Sequence, residues 1–419
     1  MTTIHPGDAQ YDQLRRTFTH TGSPAVIILP ADAREVAQAV RQAREEGLEL
    51  SVRSGGHSGA GFGTNDGGMV IDLSRLDGVE VDGDLVRIGT GATWGQVAAQ
   101  LAPHGLAVSS GDTSTVGVGG LMLGGGIGWM VRKHGLALDH LVAAELVTAD
   151  GDVLWIDAEH HADLFWAVRG GGGNVGIVTT FEVRARRETT VVFGTITYPL
   201  DEAATVLRGW RDAMRQAPDE LTTTVHLLPF DGGALMITVC FAGEDASAVE
   251  PLLRLGTVQS KELARVPYQD TLGTPMEFPP GWLPMVRNRF VPSLGDELID
   301  LVVAAAGRVP MMVMELRALG GAMGRVPSGA TAFAHRDSEI MLTTAVLGTP
   351  AEHDVDDFDA MWAGFEPYGR GAYANFLSEV RPRDLAAVYP GETGVRLARI
   401  KRAADPANLF SRNVNVGGS

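Results

Sequence analysis

Glycine constrains this chain more than any other residue. There are 53 glycines among 419 residues, and they bunch in the first part of the sequence. One bunch lies in Arg53-Ser-Gly-Gly-His-Ser58, a second runs through residues 109–135, and a third is Arg169-Gly-Gly-Gly-Gly-Asn174 continuing to Gly176. Without a side chain, a glycine N–H approaches a ligand closely and its φ is free to turn positive. Successive N–H groups in such loops form anion-binding nests. The pattern therefore points to a cradle for a large anionic ligand such as a dinucleotide. A Rossmann unit needs a strand, then G-x-G-x-x-G, then a helix and a later acidic residue. Residues 124–128 follow no clear strand and open no regular amphipathic helix, and no P-loop lysine follows the glycines. Tight turns also consume glycine, so density alone does not name the ligand.

Around these bunches the first third alternates strands and helices. An apolar strand at residues 26–29 is followed by Asp32, which caps a helix with Glu35 at the capping-box position and Gly47 at its end. Further strands are expected at 48–52, 68–73 and 85–89, a helix after Thr93, a hairpin at 141–156 and a short helix at 163–168. Beyond about residue 190 glycine thins out. Strand-like runs at 191–198, 221–228, 234–241, 311–318 and 339–346 alternate with helix-like runs at 201–215, 246–255 and 296–306, which predicts an antiparallel sheet with helices on one face. The tail is expected to be helical from 396 to 403 and extended from 408 to 416. The whole is α+β.

A formal charge of −17 argues against nucleic acid or an anionic membrane as the main partner. The single cysteine, Cys240, excludes an internal disulfide framework and sits in an apolar run as a packed strand residue. The first residues lack a basic start and an apolar signal core, and no apolar stretch reaches membrane-spanning length. The expectation is a soluble, cytoplasmic protein with no metal site.

Three segments together carry a resemblance. They are Arg53-Ser-Gly-Gly-His-Ser58, Thr115-Val-Gly-Val-Gly-Gly120 with Leu123-Gly-Gly-Gly126, and Asp163-Leu-Phe-Trp-Ala-Val-Arg-Gly-Gly-Gly-Gly-Asn174 with Gly176-Ile-Val-Thr179. The tail Asp405-Pro-Ala-Asn-Leu-Phe410 with Asn413 and Asn415 adds a fourth. In this order they resemble the berberine-bridge-enzyme-like branch of the vanillyl-alcohol-oxidase flavoproteins, from about Gly22 to Val416. The resemblance implies a two-subdomain PCMH-type FAD-binding domain over residues 1–190. A substrate domain with an antiparallel sheet backed by helices would occupy 191–384, and a segment at 385–419 would return to the first domain.

It also implies FAD attached covalently through the imidazole of His57. The cofactor-binding set it implies is His57, Arg53, Ser54, Gly55, Gly56, Ser58, Gly111, Asp112, Thr115, Val116, Gly117, Gly120, Gly176, Ile177, Val178, Asn413 and Asn415. Where many relatives have a second, cysteinyl link this chain has Thr113, so one bond is expected. Leu121 replaces a histidine that supports the flavin in some plant relatives. Val116 matches a position that gates dioxygen in the family. Tyr373 lies in Gly371-Ala-Tyr-Ala-Asn-Phe376, which resembles a Tyr-x-Asn-Tyr segment whose tyrosine acts as base; Phe376 replaces the second tyrosine.

Glu315, His335 and Arg336 are further candidates for catalysis or substrate binding, and Arg287, Asn288 and Arg289 for lining the site. The implied activity is hydride transfer from an alcohol, sugar or amine carbon of a small molecule to FAD, then to dioxygen, giving hydrogen peroxide. The alternatives are a dehydrogenase or oxygenase of the same fold, and a flavin-binding protein without a catalytic base.

Overall fold

The computed structural model describes residues 1–417 except 231, 275–277, 280 and 353. Three large sheets organise it, with a two-stranded one pairing Arg186–Arg187 and Leu106–Ala107. The first has four strands in the order Thr2–Ile4, Val26–Leu29, Met69–Asp72, Leu50–Arg53, parallel except for the first pair. The helix Ala33–Glu46 covers it with Val36, Ala39, Val40 and Ala43. That helix starts where Asp32 accepts from Glu35 N and stops at Gly47 in the left-handed region, as the capping pattern requires. The second sheet is antiparallel, in the order Val79–Asp82, Leu85–Gly89, Ile177–Arg184, Leu141–Val147, Val153–Asp157.

The third sheet has seven antiparallel strands in the order Ser260–Pro267, Thr190–Pro199, Ala234–Phe241, Leu221–Leu228, Met312–Ala318, Ile340–Val346, Met285–Val291. Helices Ala203–Gln216, Asp296–Ala305 and Val355–Ala363 pack on one face around Trp210, Leu298 and Phe358. The other face meets the glycine-rich half: Phe290 and Met341 join a cluster with Ile127 and Val131, and Cys240 joins one with Trp129 and Met130.

Two of these strands, Ser260–Pro267 and Met285–Val291, were not expected. Both are edge strands. The first is charged and largely exposed, so it lacks an apolar alternation. The second carries Arg287 and Arg289 where core residues would be expected, and their guanidiniums lie over the Phe358 and Trp362 rings instead. In place of a regular α-helix at 246–255, Ala246–Arg254 forms a 3-10 helix containing Pro251.

The tail departs from the extended expectation. After the helix Gly391–Ala404 the chain makes successive turns held by a fully buried Lys401–Asp405 pair. Lys401 Nζ donates to Asp405 Oδ2 at 2.6 Å and to Phe410 O at 2.9 Å, while Asp405 accepts the amides of Leu409 and Phe410. Asn174, from the third glycine bunch, donates to Val414 O and accepts from Val416 N. Leu397, Ile400, Val414 and Val416 thereby join the core of the second sheet. Removing one partner of a buried pair leaves the other uncompensated. Asp405→Ala is therefore expected to cost about 3–5 kcal/mol, read as a lowered denaturant midpoint; an unchanged midpoint would show that the pair does not hold the tail.

Candidate cofactor cradle and active site

Two loops cross at van der Waals contact. A Cβ on Gly55 would lie 2.3 Å from Gly117 N, and one on Gly117 would lie 2.0 Å from Gly55 N. Ser54 ties the same crossing, donating to Thr90 O at 2.5 Å and accepting from Gly119 N at 3.2 Å. Gly117 also bridges to Thr93, and Val116 O accepts from Trp94 N at the start of the helix Trp94–Leu101. Arg53 anchors the first loop from below through a buried pair with Asp72, its Nε donating at 2.8 Å. The guanidinium is thus committed to protein.

The crossing presents His57. Its Nε2 is 2.9 Å from Thr115 Oγ1 on the second loop, and its ring stacks on Phe18 at 4.7 Å and 17°. Phe18 is held there because its N–H donates to the carbonyl of Gly56, which has φ 69°. Ser58 O closes the turn onto Gly61. Burial lowers the His57 pKa, which favours the neutral, nucleophilic imidazole.

The other expected cradle residues are held by local contacts of their own. Asn413 Nδ2 donates to Phe410 O, but its Oδ1 is buried with no hydrogen-bond partner among the described residues. Such an orphan calls for a ligand or water. Asn415 caps the turn to Gly417. Gly120, exposed on the short helix Val118–Gly124, has open space where a Cβ would be. Gly111 abuts Leu121, and Gly176, at φ 154°, delivers Ile177 and Val178 into the strand Ile177–Arg184 against Val147. A neutral histidine, an open glycine and an orphaned amide oxygen fit a large group with hydrogen-bond donors and an electrophilic carbon.

Not all the glycines serve a ligand. A Cβ on Gly124 would strike the Asn375 amide at 2.2 Å, one on Gly125 would press on Tyr373 and Phe333, and one on Gly170 would strike Phe333 N at 2.4 Å. Gly124 and Gly125 admit the segment carrying Tyr373, and Gly170 admits Phe333. The Tyr373 hydroxyl accepts from Gly126 N at 2.9 Å and Asn375 Nδ2 at 3.0 Å. Its backbone is clamped by Asn288, which donates to Tyr373 O at 3.0 Å and accepts from Tyr373 N at 2.6 Å. Burial raises the Tyr373 pKa, while the Gly126 and Asn375 donors and the charge of Arg317 pull against that rise. The segment's Phe376 ring lies under the Arg317 guanidinium at 5.6 Å.

Arg317 is the site residue that sequence reasoning missed. It is buried on Met312–Ala318 and reaches both halves: it donates to Asp112 Oδ2 at 2.6 Å, Ile127 O at 3.1 Å and Glu315 Oε1 at 3.2 Å. Its signal in the sequence was the i, i+2 spacing from Glu315. Burial would raise the Glu315 pKa, but Arg317 and His226 outweigh it and hold the carboxyl at about 2. In register across four strands lie His226, Glu315, Thr343 and Asn288.

His335 and Arg336 are taken up by packing. The His335 ring stacks on Phe290 at 4.6 Å and faces Val388 O at 3.2 Å, and burial lowers its pKa to about 4. Arg336 makes a bidentate pair with Asp139 rather than a surface one.

Two crossed glycine-rich loops that hold a histidine, with a buried tyrosine between the halves, suit a dinucleotide cofactor, and comparison with known proteins makes this specific. Residues 24–157 match the FAD binding domain family. The chain is 33% identical to (R)-6-hydroxynicotine oxidase of Paenarthrobacter nicotinovorans, across 99% of this chain and 96% of that protein. The solved 6-hydroxy-D-nicotine oxidase of Arthrobacter nicotinovorans superposes with a TM-score of 0.89 at 28% identity, covering 100% and 98% of the two chains. Glucooligosaccharide oxidase of Acremonium strictum, whose FAD is 6-S-cysteinyl and 8α-N1-histidyl, gives 0.86 at 25% identity over 99% and 96%. The berberine-bridge-enzyme-like protein of Physcomitrella patens shares the fold at 0.88 and 22% identity over 97% and 95%. The chain belongs to the family of FAD-dependent oxidases that includes (R)-6-hydroxynicotine oxidase. Among the described residues no helix is long and apolar enough to cross a membrane.

Gly117→Ala places a methyl against Gly55 N and forces the loops apart. The expected result is a folded protein with most of its flavin absorbance lost; full flavin content would show that the crossing is not needed to hold the cofactor.

Proposed function

We propose that FAD is fixed here by one bond, to the His57 imidazole, with no cysteinyl link. The neutral ring held between Phe18 and Thr115 supports this. Thr113 offers no thiol, its hydroxyl donating to Asp112 instead. Cys240 is fully buried with Tyr268 and Trp129, and burial pushes its thiol pKa up, away from the reactive thiolate.

The reaction we assign is oxidation of an alcohol, sugar or amine carbon, with dioxygen as final acceptor and hydrogen peroxide as product. When bound, FAD supplies the two-electron acceptor for a hydride from that carbon. Tyr373 takes the proton from the substrate O–H or N–H. The observation that carries this role is the Tyr373 hydroxyl, buried between the two halves and receiving the Gly126 and Asn375 N–H groups. These donors favour the phenolate that proton removal requires. Glu315 is too acidic for a base near neutrality, and we assign it to orienting substrate. Thr224 Oγ1, Thr343 Oγ1 and His226 Nδ1, on the strands flanking Glu315, are buried without hydrogen-bond partners among the described residues, which suits a substrate with several polar groups. Val116, partly buried on the second loop, is assigned to gating dioxygen.

Tyr373→Phe is expected to slow substrate-driven flavin bleaching by about 10²–10⁴-fold in rapid mixing. Because the Tyr373 pKa is raised, wild-type kcat/KM is expected to climb with pH through the alkaline range, and the variant to lose that climb. An unaltered rate removes Tyr373 as base. Oxygen consumption on adding a substrate drawn from an alcohol, sugar and amine panel tests the acceptor: its absence during turnover with an artificial dye would make the protein a dehydrogenase. Val116→Leu is expected to slow reoxidation in air without slowing bleaching.

A further inference from the structure

The edge strand Met285–Val291 separates two environments. Asn288 and Phe290 face Tyr373, whereas Arg287 and Arg289 alternate to the opposite side, over Phe358 and Trp362. On that side lies a cavity of about 350 Å³, between the strand, the end of helix Val355–Ala363 and helix Pro382–Val388. Four guanidiniums line it: Arg287, Arg289, Arg381 and Arg383. Arg287 is only 6% exposed. The Nε atoms of Arg287, Arg289 and Arg381 are all buried with no hydrogen-bond partner among the described residues.

Glu366, Glu379 and Asp384 also line the cavity, and with Asp359 they equal the arginines in charge, but they leave guanidinium N–H groups unused. Three of the arginines share Asp359, with Arg287 at 2.5 Å, Arg381 at 3.3 Å and Arg383 at 4.0 Å. Glu366 stands 3.8 Å from Arg289, and Glu379 and Asp384 each stand 3.7 Å from Arg381, beyond hydrogen-bond reach. Asp384 is already engaged in capping, accepting from Arg381 N at 2.8 Å. Burial lowers the pKa of Arg289 and Arg381 and repulsion from Arg383 adds to it, while Glu366 and Asp384 oppose the shift at Arg289 and Asp384 opposes it at Arg381.

We propose that this cavity binds a small oxyanion, a phosphate or carboxylate group, through Arg287, Arg289, Arg381 and Arg383. Guanidinium forks match the geometry of both groups, and the cavity has the volume of a small-ligand site. Its occupant would lie behind the strand whose Asn288 clamps Tyr373, sharing the wall formed by Gly371 and Ala372.

The test uses the flavin-loaded protein, so that the cofactor's own phosphates are already in place. Its melting temperature is followed against inorganic phosphate, acetate and chloride at matched ionic strength. A saturable rise with phosphate or acetate beyond that of chloride is expected, and the effective ion identifies the class. Arg383→Ala removes a side chain that is 57% exposed, so the fold is expected to survive. It and Arg289→Ala should each weaken the response by about tenfold or more. No rise beyond chloride, or an undiminished response in both variants, overturns the site.

Discussion

Everything at the cofactor site depends on two loop backbones touching. Gly55 and Gly117 leave no room for a single carbon between them. Their contact brings the histidine of one loop within hydrogen-bond distance of the threonine of the other. Neither loop is long-range structure by itself. One is launched by a strand of the parallel sheet, Leu50–Arg53, and the other is tied by Trp94 and Thr93 to the helix that follows Leu85–Gly89 in the second sheet. The crossing therefore converts the packing of two sheets into a fixed place for one imidazole. The Arg53–Asp72 pair beneath it removes the freedom that a glycine-rich loop would otherwise have.

Strand alternation does the same for the seven-stranded half. On the seven-stranded sheet, successive residues point to opposite faces. Leu316 joins the helix-backed core, while Glu315 and Arg317 face the glycine-rich half. Arg317 then joins the halves, holding Asp112 from the second loop, Ile127 O from the glycine run and Glu315 from its own strand. Buried ion pairs are costly to assemble, so such a network is better understood as fixing geometry than as adding stability.

Much of this was legible in advance. Helix caps at Asp32 and Thr93, the hairpin around Asp150 and Gly151, and the strands Leu221–Leu228 and Ala234–Phe241 follow from local rules that the tertiary structure leaves intact. The motif around His57 marked one of the two loops that cross. What escaped notice was set by partners distant in sequence. Met285–Val291 hides as a polar stretch because its arginines pack on aromatic rings. His335 looked chemical but fills the space that Gly371 leaves it. Several glycines that seemed to await a ligand, Gly124, Gly125 and Gly170, make room for Asn375, Tyr373 and Phe333 instead. Density of glycine reports close approach without saying what approaches.

The account stands on the imidazole of His57 as the sole covalent anchor of the cofactor. Mass spectrometry of a proteolytic digest of the denatured, yellow protein measures this directly. A peptide containing His57 heavier by one FAD, with the Cys240 peptide unmodified, is the predicted result; FAD recovered free in the supernatant, or a flavin mass on any other residue, would contradict it.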